Sequence, residues 1–287
     1  MVGAPVVRPH SPGPQWAAGS NELTLRVASA LVLAPLALAI AYVGGWPFAV
    51  FWGIGAVAIL WEWTNLVARS HRGAVFATGV VALAGAFAVA SVGRPGIAVA
   101  LVAIGAGVVA ALAPAGHRIW PAAGVVYAGA LVAPVWLRVD TGYGFLAMIF
   151  LFAVVWMTDI LAYFAGRAIG GPKLWLRVSP KKTWSGAIGG ALGAMAAGLA
   201  AALIAGLGNV PAVVLLALGL SVASQAGDLL ESAIKRSFGT KDASHLIPGH
   251  GGVMDRLDGF MAAALVAALV GLMRGGADAA ARGLLVW

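Results

Sequence analysis

A chain of 287 residues that is 61% hydrophobic, only 10% charged and has a mean hydropathy of +0.95 lies far outside the composition of a water-soluble domain. Length allows several membrane spans of about 20 residues each, joined by short polar loops. The formal charge of +8 sits in those loops, which points to membrane orientation and anionic ligands rather than nucleic acid, and the lack of cysteine excludes disulfides, thiolate zinc sites and cysteine nucleophiles.

Residues 1–26 are rich in proline, glycine and polar groups and read as a disordered cytosolic tail. The first apolar run, 27–44, contains Ala37-Leu38-Ala39 but is followed by more spans, so it reads as retained rather than as a cleaved signal. Further apolar stretches fall near 47–67, 74–92, 96–113, 119–137, 144–166, 186–207, 211–230 and 259–273. The expectation is an all-α polytopic integral membrane protein with about nine transmembrane helices. With the N-terminus cytosolic, fourteen of the eighteen Lys and Arg residues fall on the cytosolic side, including those of two long polar loops, 167–185 and 231–258. Arg94, Arg138, Arg274 and Arg282 fall on the other. The site should then face the cytosol across a cell (inner) membrane.

Before Phe145 the spans are plain Ala, Val, Leu and Gly helices, so 27–143 reads as scaffold and 144–287 as the catalytic region. Within the scaffold, Glu62 between Trp61 and Trp63 is expected to be interfacial. Five of the ten acids lie between 228 and 258. Gln225, Asp228, Glu231, Ser232 and Lys235 recur at spacings of three and four, which places them on one helix face at the end of the eighth span. Asp255 and Asp258 repeat the spacing at the start of the ninth. Hard oxygen ligands from two helix ends describe a Mg²⁺ site of the kind used in phosphoryl or nucleotidyl transfer, with Asp228 and Asp255 as the leading pair. The competing reading is that these acids only pair with Lys235, Arg236, Lys241 and Arg256.

Two loop motifs suit phosphate. His250-Gly251-Gly252 precedes a helix, where glycines let backbone N–H groups approach an anion. Ser179-Pro180-Lys181-Lys182-Thr183-Trp184-Ser185-Gly186 combines lysines and hydroxyls with a helix N-terminus. Gly189 and Gly193 beyond it suit close helix packing. Asp159, with Tyr163 and Arg167, is an intramembrane acid and a functional candidate by default.

The run Ser232-Ala-Ile-Lys235-Arg236-Ser-Phe-Gly-Thr-Lys241-Asp242-Ala-Ser244-His-Leu-Ile247-Pro248-Gly-His250-Gly251-Gly252-Val-Met-Asp255-Arg256-Leu-Asp258 resembles, over 27 continuous residues, the pattern of the phosphatidate cytidylyltransferase (CDP-diacylglycerol synthase) family. Gly227-Asp228-Leu229 with Glu231, the 179–183 loop, and Asp159 with Ala162-Tyr163-Phe164 and Gly166-Arg167 are similar to its other recurrent stretches. Ser185 departs from the family's usual Glu.

The resemblance implies that CTP and phosphatidate, a membrane lipid, give CDP-diacylglycerol and pyrophosphate, with Mg²⁺ as cofactor and a monovalent cation such as K⁺ beside it. It implies that Asp228 and Asp255 ligate metal, supported by Glu231 and Asp258. Lys181, Lys182, Lys235, Arg236, Lys241 and Arg256 would hold phosphates, and Ser179 and Thr183 would orient them. His250 would donate to a phosphate or order its loop. Glycine-rich spans allow a homodimer. Rival readings are a lipid kinase or CDP-alcohol phosphotransferase, whose G-x-x-x-x-G-K-[ST] or D-G…A-R…D…D patterns are missing, and a transporter, whose repeat halves are missing.

Overall fold

The apolar segments must satisfy their own backbone groups in hydrocarbon, and an open chain can do so only as helices. In the computed structural model, which describes residues 31–67, 72–114, 118–244, 246 and 251–287, they are helices. The tail 1–26 and His250 lie outside the described residues.

Helix α1 (Leu31–Val43) is followed by α2 (Gly45–Val67), α3 (Arg72–Ser91) and α4 (Pro95–Leu112). The fifth predicted span is two helices, α5 (Ile119–Gly129) and α6 (Val132–Val139). Pro134 has no N–H for the Ala130 carbonyl, which accepts from Ala133 at 3.0 Å instead, and the helix breaks there. Then come α7 (Gly144–Ile169), strands β1 (Lys173–Trp175) and β2 (Ser179–Thr183), α8 (Trp184–Ile204), α9 (Val210–Ser237), α10 (Met254–Gly275) and the short α11 (Ala280–Leu285). Eight segments among the described residues are long and apolar enough to cross a membrane, with α5 and α6 together forming one of them. The protein is a multi-pass, all-α membrane protein. Among the described residues the β1–β2 hairpin inside the 167–185 loop and the short α11 are additions to that expectation.

An aromatic column joins the two halves of the chain. Trp52 of α2 stacks on Phe260 of α10 with centroids 4.7 Å apart and rings 8° from parallel, and Phe260 stacks on Phe152 of α7 at 5.4 Å. Such offset pairs each contribute about 0.5–1.5 kcal/mol beyond area burial. Helix α8 packs along α7 through small residues: a Cβ on Gly190 would lie 2.8 Å from the Thr158 carbonyl, and one on Gly193 would lie 2.9 Å from that of Met157. Gly193 is therefore a packing residue, as expected. Helices α9 and α10 touch in the same way, since a Cβ on Gly227 would lie 2.7 Å from the Asp258 carbonyl. That contact brings the acids of both helices to one level.

Candidate active site

Helix α9 is capped at its start by Asn209, whose Oδ1 accepts from Ala212 N at 3.2 Å, and it runs to Ser237, seven residues past the predicted span. Lys235 and Arg236 in its last turn favour that extension by opposing the carbonyl end of the helix dipole. The predicted face therefore exists: Lys235 Nζ meets Glu231 Oε2 at 2.8 Å, one turn away, and also pairs with Asp255 of α10. Lys235 and Glu231 side chains are only 10% and 1% exposed, so this cluster is screened little by solvent.

The hairpin supplies the second cation. Lys173 pairs with Thr183 and Trp175 with Ser179 in an antiparallel register, and Trp184 N donates to Pro172 O at 3.0 Å. Along β2 Lys181 is exposed and Lys182 is half-buried. Lys182 Nζ pairs with Asp228 Oδ2, and Ser232 Oγ donates to Asp228 Oδ1 at 3.5 Å. Ser179 is half-buried on the same strand. Thr183 is buried and caps α8, accepting from Gly186 N at 3.1 Å, so its hydroxyl is used by the fold rather than turned toward a ligand. Ser185 likewise serves the fold, because its Oγ lies 3.0 Å from Thr183 Oγ1 and donates to the Gly170 carbonyl, tying the hairpin to the end of α7.

Helix α10 begins at Met254, which puts Asp255 in its first turn. Asp255 Oδ2 accepts from Gly252 N at 3.0 Å and Ala243 N at 3.2 Å, while Oδ1 accepts from Lys235. The Gly252 N–H, expected to face a phosphate, donates in this structure to the protein's own Asp255 carboxylate. Gly251 adopts φ +84°, a backbone conformation that favours glycine.

Glu62 also reaches this site, so its interfacial assignment is corrected too. It is fully buried, and its Oε1 accepts from Ser244 Oγ at 2.5 Å and Val253 N at 2.8 Å, with Oε2 accepting from Met254 N at 2.7 Å. An acid inside an apolar run was its one sequence signal. Asp159 neighbours Asp228, Lys182 and Arg256 at the same end. Glu62 thus belongs to this cluster, and Asp159 lies within electrostatic reach of it.

Asp228 and Glu231 lie within electrostatic reach of Asp258, whose Oδ1 accepts from Gly259 N at 2.7 Å. Around this group Lys181, Arg236, Lys241 and Arg256 are exposed and form a basic rim; Arg236 Nη1 donates to Thr240 O at 3.3 Å. Beside the acids runs an apolar groove of about 700 Å³ between α5 on one side and α9 and α10 on the other. Leu230, Val126 and Leu265 form its walls, and Asp258 and Tyr127 face into it. Among the described residues the Tyr127 hydroxyl and Glu231 Oε1 are buried without a hydrogen-bond partner.

Among the described residues no three acidic or histidine side chains already converge as a metal site. The donor chemistry nevertheless fits a hard divalent cation. Four carboxylates, those of Asp228, Glu231, Asp255 and Asp258, share the region with the ammonium groups of Lys182 and Lys235, and Glu231 keeps one buried oxygen with no donor.

Residues 24–273 match the sequence model of the cytidylyltransferase family. The chain is 43% identical over 260 residues to a phosphatidate cytidylyltransferase of Brucella abortus biovar 1 (strain 9-941), covering 88% of this chain and 94% of that protein. It is 43% identical over 121 residues to the phosphatidate cytidylyltransferase of Bacillus subtilis (strain 168), covering 42% of this chain and 45% of that protein. A 41% identity over 129 residues links it to the protein of that name in Haemophilus influenzae, covering 43% and 45% of the two chains.

Proposed function

This chain belongs to the cytidylyltransferase family, and from that premise we propose that it joins CTP to phosphatidate at the charged end of the bundle, giving CDP-diacylglycerol and pyrophosphate. A phosphate oxygen of the lipid attacks the α-phosphorus of CTP. The bond from that phosphorus to the bridging oxygen breaks, and pyrophosphate leaves with the electron pair. The attacking group is already an anion, so the reaction needs no protein nucleophile.

What the protein must supply is charge neutralisation and placement. Lys182 on its hairpin and Lys235 on α9 face the acids from two sides, and a nucleotide polyphosphate competes for both ammonium groups. Lys181, Arg236, Lys241 and Arg256 on the rim draw the anionic substrates in. Asp228, Glu231, Asp255 and Asp258 would hold Mg²⁺, which supplies Lewis-acid stabilisation of phosphate charge when bound. Asp255 does so as a residue that also anchors Lys235 and its own loop. The acyl chains of the lipid lie in the groove between α5 and α9–α10, which leads from apolar walls to Asp258.

The observation that carries this reading is the meeting of α9, α10 and the hairpin, which brings four carboxylates and two lysines together, one of those carboxylates, Asp258, lining an apolar groove of about 700 Å³. Purified protein given labelled CTP, phosphatidate and Mg²⁺ should release pyrophosphate and CDP-lipid in equal amounts and stop when a chelator is added. Labelled product with no pyrophosphate would refute the assignment.

A further inference from the structure

Glu62 belongs to α2, in the half of the chain read as scaffold, yet its carboxylate binds residues 182 to 192 positions later. Helix α10 has no cap of its own: Val253 at the N-cap makes no side-chain cap bond. The amides at its start are bound by two carboxylates, Val253 N and Met254 N by Glu62 of α2 and Gly252 N by Asp255 of the helix's own first turn. The two carboxylates converge on one glycine. A Cβ on Gly252 would lie 2.8 Å from Glu62 Oε1 and 3.0 Å from Asp255 Oδ2. Ser244, on the other side of the loop, donates to the same Glu62 oxygen that accepts from Val253.

We infer that Glu62 is a positioning residue for nucleotidyl transfer: it fixes the start of α10, and through it Asp255 and Lys235, in register with Asp228 and Lys182. A serine or aspartate at position 253 could cap the helix locally. A cap delivered from α2 does something more, because it ties the height of Asp255 to a separate span. Glu62 touches no reacting group in this arrangement, and its effect passes through the loop it holds. The inference rests on the cytidylyltransferase reading.

Glu62→Gln keeps the shape but replaces one acceptor oxygen with an NH₂ that faces backbone N–H groups. The KM for CTP should rise about tenfold or more, while the KM for phosphatidate stays within about twofold. Ser244→Ala, which removes only the hydroxyl contact, should raise the KM for CTP about threefold and add nothing when combined with Glu62→Gln. A purely stabilising role would lower kcat with the folded fraction and leave both KM values unchanged, and that result overturns the inference. Should Glu62→Gln not fold, Ser244→Ala decides by the same readout. If wild-type protein makes no CDP-lipid, the family-based reaction fails separately. Hydrogen exchange then tests the positioning: faster exchange in Ser244→Ala at Val253 and Met254, with Leu60 unchanged, upholds it, and unaltered exchange refutes it.

Discussion

At the end of the bundle away from the site, Arg138 donates to the carbonyls of Ala41 at 2.6 Å and Tyr42 at 2.9 Å, and Arg274 donates to those of Gly283 and Val286 at 2.5 and 3.1 Å. Asp140 there accepts from the amides of Gly142, Tyr143 and Arg282. At the site end, Lys182 and Lys235 instead meet the side chains of Asp228, Glu231 and Asp255. Charge placed on the backbone closes helix ends, and a ligand could claim it only by undoing them. Charge paired with charge is exchangeable, because an incoming phosphate or cation can replace either partner. Glu62 and Asp255 join the two uses, since both sit at the site end and both hold backbone amides there.

The comparison breaks most visibly at Lys235. Lys235→Met leaves Glu231 and Asp255 buried beside each other without a cation, which should cost about 3–5 kcal/mol and remove turnover together with stability. Thermal unfolding in detergent checks it, and an unchanged melting temperature would mean that the acids find another partner. A smaller effect is expected at the far end. Arg138→Ala should lose about 1–3 kcal/mol of stability as two carbonyls lose their donor, while turnover per folded molecule stays at the wild-type level. The smallest effect on activity belongs to a labelling pair, which the lack of native cysteine makes clean. Arg177→Cys on the hairpin turn should react with a membrane-impermeant maleimide only from the cytosolic face, and Asp278→Cys only from the opposite one. Labelling of both from one face would remove the sidedness argument.

Much of this contrast was legible in the sequence. Spacings of three and four put Asp228, Glu231 and Lys235 on one face, and α9 and α10 carry their acids at facing ends, because helix periodicity is a local property. The partners were less visible. Nothing local pairs Lys182 with Asp228 or sends Glu62 to Met254; those contacts follow from how the helices pack. The hairpin escaped because its strands are three and five residues long and one contains Pro180, which a two-stranded edge tolerates and a periodicity reading does not reveal. Thr183 and Gly252 carried genuine signals of helix starts. Their hydrogen bonds turned out to serve the fold, since a helix N-terminus accepts an internal oxygen as readily as a phosphate.

The most direct test of exchangeable charge is the exchanged pair itself, Lys182→Asp combined with Asp228→Lys. These side chains are 29% and 37% exposed, so the pair contributes at most about 1 kcal/mol to stability, and the double variant should fold and melt like the wild type. If Asp228 serves metal and Lys182 serves phosphate, CTP-dependent turnover stays more than about 100-fold below wild type even with the pair restored in reverse. Recovery of turnover to the wild-type level would show that the two residues are only an ion pair, with no separate hold on metal and phosphate.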